Sequence, residues 1–135
     1  MMRDMRGLLA AFGQDRRGIV AVEFAMLAPA LLMMMIGTVT LAMMMFTTSS
    51  LHFAVQAAAR CASVRTTVCT NTATTQAFAR SNYFGTTAAP VFTCTGRTCG
   101  GTAACGNRVT GTINFTLDVG MARYVTPLRA DACYP

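Results

Sequence analysis

The stretch that decides the fold runs from Arg16 to Phe46. It reads Arg16-Arg17-Gly18-Ile19-Val20-Ala21-Val22-Glu23, followed over 24–46 by FAMLAPALLMMMIGTVTLAMMMF. Those last 23 positions hold no Asn, Gln, Asp, Glu, Arg or His. A helix rises about 1.5 Å per residue, so the run reaches about 35 Å, enough to cross a hydrocarbon core about 30 Å thick. The run at about 24–46 is therefore expected to span a membrane once. A buried core helix is the alternative, but the remaining chain is too small to wrap a helix that is apolar on every side. Pro29 and Gly37 lie inside the run. In water an interior Pro costs about 3 kcal/mol, whereas bilayers tolerate it more readily. Pro29 thus predicts a kink near the N-terminal end of the span, not its end.

Working outward, Arg3, Arg6, Arg16 and Arg17 precede the span, and the first charges beyond Glu23 are Arg60 and Arg65. The bias of basic residues toward the cytoplasm places the N-terminus inside and the C-terminus outside. A cleaved secretory signal would have the same order of parts, but its apolar region runs about 7–15 residues and this one is longer.

Glu23 is the odd residue. A carboxylate at the mouth of an apolar helix is expensive in lipid unless it is paired. It could reach back to water or complement the positive end of the helix. The alternative is a functional one. Gly18, four apolar residues, Glu23 and Phe24 resemble the processing site of type IV pilins. The likeness extends through Val22-Glu23-Phe24-Ala25, Ala28-Pro29, the Leu/Met run, Gly37 and Gln56-Ala57-Ala58-Ala59-Arg60. Over Gly18 to Arg60, roughly a third of the chain, the sequence resembles the TadE/TadG-like minor pseudopilins of the tight-adherence (Flp, type IVb) pilus system.

The resemblance implies that a prepilin peptidase cuts between Gly18 and Ile19, so that Ile19 carries a new amine. It implies that Glu23, beside Phe24, pairs with the amine of a neighbouring subunit during assembly. The partners implied are membrane lipid, the peptidase, other pilins or pseudopilins, and the Tad inner-membrane assembly machinery. The location implied is the bacterial inner membrane, single-pass, with a cytoplasmic N-terminus and a periplasmic C-terminal head, or incorporation in a surface pilus that serves adhesion.

Past the span, Leu51, Ala54, Val55, Ala58, Cys61 and Ala62 recur at three- and four-residue steps, an apolar helical stripe. The simplest reading is one helix over about 19–65. A break with Ser49 or Ser50 capping a second helix is the alternative. Met triplets at 33–35 and 43–45 are lipid-facing filler or adaptable packing.

From Thr66 onward Thr and Gly dominate. Cys69, Cys94, Cys99, Cys105 and Cys133 join Cys61 to give an even set of six. A head of about 70 residues rarely gains more than about 3–5 kcal/mol from its core. Disulfides are the expected remedy in an oxidising compartment. Zinc is disfavoured, since no Cys-x-x-Cys occurs. Six Cys allow 15 pairings and spacing does not choose among them. Gln76 to Asn82 is expected as a short helix closed by Gly85, Ala89 to Thr95 as a strand, and Gly96 to Asn107 as a loop. Val109, Gly111, Ile113, Phe115 and Leu117 alternate with polar residues, so 109–117 reads as a half-buried strand whose apolar face lies on the helix. A second strand near Met121 to Thr126 is expected to pair with it.

The fold class expected is α+β. Residues 1–18 form a basic leader, 19–65 a transmembrane and stalk helix, and 66–135 a Cys-rich head with a short sheet. Composition closes off other functions. Hydrophobic residues are 53% of the chain, charged ones 12%, and there is one His. The eleven basic residues are all Arg, so a Walker loop is impossible. No hydrolase or zinc-protease motif occurs, so no catalytic residue, metal or cofactor is assigned. The Arg residues are scattered, so no nucleic-acid partner is expected. Three readings remain: a minor pseudopilin cut after Gly18, a displayed adhesin head, and an uncleaved single-pass scaffold of the secretion complex.

Overall fold

Nothing between Arg17 and Val64 competes with helix. Pro29 is the one residue that cannot donate, and the strong helix formers Ala, Leu and Met supply nearly half of the rest. In the computed structural model, which describes residues 17–85, 89–119 and 122–135, α1 covers Arg17–Val64 without interruption. The leader expected at 1–18 lies outside the described residues up to position 16. The break expected as an alternative at Ser49 or Ser50 does not occur. Thr47 and Thr48 instead turn their hydroxyls back onto the Met43 and Met44 carbonyls, at 2.8 and 2.9 Å. Each is thereby satisfied within the helix. Ser50 Oγ accepts from the Phe84 N–H at 2.7 Å.

The chain divides into two compact units, Met1–Val39 and Thr40–Pro135. In the first, the described side chains of α1 are almost uniformly exposed, Met26 and Met34 by more than three quarters (77% and 76%). A helix apolar on every face and covered on none needs lipid or other helices around it. The helix is long and apolar enough to cross a membrane, which suggests a single-pass membrane protein.

The second unit carries the core. α2 is Thr72–Ser81, and β1 (Val91–Thr95), β2 (Asn107–Val119) and β3 (Ala122–Tyr134) form an antiparallel sheet in the order β1-β2-β3. Register follows the alternation. Gly111 sits opposite Phe92 and Ala130, and Val109 opposite Cys94 and Ala132. All of these face inward. Leu51, Ala54, Val55, Ala58 and Ala59 of α1 pack against Phe92, Val109, Ile113, Phe115, Leu128 and Ala130. The expected strand over 109–117 is thus present with its apolar face on the helix, extended by two residues at each end. Gly111 permits the close approach: a Cβ there would stand 2.9 Å from Leu51 Cδ1 and Phe92 Cε1.

Other boundaries differ from expectation. β1 begins at Val91, not Ala89. α2 begins at Thr72, not Gln76, because Asn71 caps it. The Asn71 side chain accepts from the Thr74 N–H at 2.9 Å, and the Thr74 hydroxyl accepts from the Asn71 N–H at 3.0 Å. Asn82, not Gly85, closes it. β3 runs on past Thr126 to Tyr134, because Pro127 lies on an edge strand where a missing donor is tolerated. Met121, the expected start of that strand, lies outside the described residues.

Candidate functional site

Two sets of residues carry the chemistry. The first is the start of α1. In the described part of α1, Arg17–Val64, Gly18, Ile19, Glu23 and Phe24 lie among the first eight residues. Nothing lies within 4 Å of where a Gly18 side chain would begin. Ile19 and Glu23 are one helical turn apart, an axial rise of about 6 Å. Phe24 is 70% exposed, flanked by exposed Val20 and Val22. Glu23 is exposed, and no hydrogen bond or ion pair holds it among the described residues. A single unpaired carboxylate among apolar side chains is costly in a bilayer and is relieved by a cation from elsewhere.

The second set is the cysteines. All six are paired: Cys61 with Cys69, Cys94 with Cys99, and Cys105 with Cys133. Cys61 and Cys69 are buried with Ala62 beneath Phe78. Their bond joins the last turn of α1 to the segment that follows it. The Cys94–Cys99 bond closes the turn after β1. The Cys105–Cys133 bond fastens the loop before β2 to the end of β3.

A polar staple beside these bonds was not anticipated from the sequence. Asn107, 5% exposed, donates to the Ala62 carbonyl at 3.3 Å and to Ser63 Oγ at 3.1 Å. Its side-chain oxygen accepts from the Thr98 N–H at 3.0 Å. Thr98 Oγ1 also donates to the Ala62 carbonyl, and Ser63 Oγ to the Tyr134 carbonyl. The last carbonyls of a helix have no partner within it, and here the loop and sheet supply them. The only signal in the sequence was an Asn at the edge of an apolar strand, which reads as a loop residue.

Along the edge of the packed face of α1, Phe53, Ala57, Arg60 and Val64 line a groove completed by Phe78 and Tyr134. Phe53 is 54% and Val64 62% exposed. No group of His, Cys, Asp and Glu among the described residues could hold a metal ion.

Residues 18–60 match the family described as TadE-like protein. The match begins at Gly18 and ends at Arg60, so it covers the helix start, the span and the first part of the packed stripe. It suggests a Tad pilus-associated protein, a structural kind of protein. No curated protein and no solved structure matches the chain.

Proposed function

We propose that this chain, TadE-like over 18–60, is a minor pseudopilin. A prepilin peptidase removes residues 1–18 and frees the amine of Ile19. The mature subunit is held in the inner membrane by the apolar part of α1, with the disulfide-bonded unit on the periplasmic side, and it enters or initiates an Flp-type pilus. The observation that carries this reading is Glu23: an exposed carboxylate, without an ion pair or hydrogen bond among the described residues, one helical turn from Ile19 on a helix otherwise apolar around it. Cleavage creates a cation at the same end of the same helix. In a bundle of identical or related helices, the amine of one subunit then meets the Glu of another at a fixed stagger, and neither charge remains alone in lipid.

Other features support the reading. The cytoplasmic bias of Arg3, Arg6, Arg16 and Arg17 gives the orientation, and disulfides belong to an oxidising compartment. The groove beside Phe53 and Val64 leaves α1 a free face for neighbouring subunits. An uncleaved scaffold of the Tad inner-membrane machinery is the second reading, favoured by the same span.

Glu23→Ala separates them. The pseudopilin reading expects normal removal of the leader, shown by N-terminal sequencing that starts at Ile19, together with loss of the protein from sheared surface fibres. An intact Met1 in membranes of the unaltered protein selects the scaffold. Fibres that assemble normally from Glu23→Ala defeat the pairing role.

A further inference from the structure

The groove in the second unit joins exposed apolar side chains to basic ones. Phe53, Ala57, Arg60 and Val64 recur along α1 at steps of four, three and four, so they stack along one side of it. Phe78 of α2 and Tyr134 of β3 complete the groove, and Arg65 lines it too. Phe53, Val64 and Tyr134 are exposed. No acidic side chain lines the groove, and neither Arg60 nor Arg65 makes an ion pair among the described residues. The backbone groups along this part of α1 are already bonded within the helix, so an extended peptide finds no strand edge to join. A partner that brings its own bonded backbone, a helix, can pack its side chains between those of α1. From Phe53 to Val64 the groove is about 16 Å long, room for about three turns of such a helix.

We propose that this groove docks a helix of a different protein, one that carries an apolar stripe and two acidic residues about one turn apart. Charge decides the sign. Covering the groove takes Arg60 and Arg65 partly out of water, which is costly unless carboxylates meet them, and the guanidinium fork suits a carboxylate. The Arg65 N–H still bonds to the Cys61 carbonyl at 2.9 Å, so helical spacing persists to Arg65 and sets the two Arg about 7.5 Å apart along the axis. Carboxylates about one turn apart on the partner match that separation. A second copy of this chain does not supply them. Thr40–Pro135 holds seven Arg against Asp118 and Asp131, so two such units repel each other. Asp118 is already held by Arg123, and both acids lie on strands. α2 has no acidic residue, and the one acid in α1 is Glu23, a single carboxylate against two Arg. Phe53 and Tyr134 are the apolar anchors, since aromatic residues at the centre of an interface dominate its energy. The inference goes beyond the pseudopilin reading and holds for the scaffold as well, because both leave this face of α1 uncovered.

The test is photo-crosslinking in intact cells that make the full-length protein. Phe53→p-benzoylphenylalanine places the reactive group in the groove, and Val68→p-benzoylphenylalanine is an exposed control outside it. Peptide sequencing of the adduct should identify, at Phe53 but not at Val68, another protein bonded through a segment that carries two Asp or Glu about one turn apart beside Leu, Ile or Phe. Adding Arg60→Glu/Arg65→Glu should cut the adduct yield about tenfold or more, with disulfide content checked by thiol counting. Changing the partner's two acids to Arg should then restore it. If that variant loses its disulfides, the milder Arg60→Gln/Arg65→Gln pair must still cut the yield about threefold or more. An adduct with a second copy, with lipid or with nothing overturns the inference, as does a yield indifferent to both pairs of changes. N-terminal sequencing of the same adduct keeps the two readings apart. Met1 there sinks the pseudopilin reading and leaves the groove inference intact, whereas Ile19 in a second-copy adduct does the reverse.

Discussion

Gly111 is where β2 crosses α1. Its inward position was legible, because it takes a place in the alternation of Val109, Ile113 and Phe115. Its closeness to the helix was not, because alternation says which way a residue faces and not how near the opposing surface lies. An added Cβ would meet Leu51, Phe92 and Val55 at 2.9–3.0 Å. Leu51 and Val55 are fully buried and Phe92 nearly so, so none has an open direction in which to yield. Gly111→Ala is expected to destabilise the protein by about 1–3 kcal/mol, the usual cost of overpacking. Thermal unfolding of the detergent-solubilised chain checks this; an unchanged midpoint would show that the helix–sheet contact is looser than its distances.

Elements were legible where one physical signal ran unopposed. α1 was, because its apolar run is unbroken by charge from Phe24 to Ala59. β2 was, because its period-two pattern continues over nine residues. α2 and β3 were misplaced for opposite reasons. Thr72 and Thr74 look like loop residues until the Asn71–Thr74 capping pair is seen to satisfy the first amides. In β3, Pro127, Arg129 and Asp131 hide the inward alternation of Leu128, Ala130 and Ala132. Gly18 and Glu23 were legible because an acid in an apolar helix is conspicuous. The Asn107 staple was not, since its partners lie 9 to 45 positions away. The cap makes its own prediction. Asn71→Ala should cost about 1 kcal/mol and speed hydrogen exchange at the Thr74 and Thr75 amides, with the β2 amides unchanged. Equal acceleration in both would mean that α2 does not open independently of the sheet.

At the scale of the molecule, the hydrophobic excess belongs to one helix, and the remaining chain is close to ordinary composition with a small core. That core sits on the part of α1 beyond the apolar run, Leu51 to Ala59, and three disulfides secure the rest. Their loops differ in length: 28 positions for Cys105–Cys133, eight for Cys61–Cys69 and five for Cys94–Cys99. If cross-links act by restricting the unfolded chain, these loops contribute about 3.6, 2.5 and 2.1 kcal/mol. The longest also joins the loop before β2 to the end of β3. The double variant Cys105→Ala/Cys133→Ala should therefore lose more stability than Cys94→Ala/Cys99→Ala, by about 1.5 kcal/mol, in thermal unfolding of the full chain in detergent. Cys61 and Cys69 are 2% and 0% exposed, so replacing both with Ala removes packing as well as a cross-link and should cost more than its loop predicts. If the five-residue loop proves as costly to open as the long one, loop closure does not govern this unit, and local geometry at the turn after β1 does.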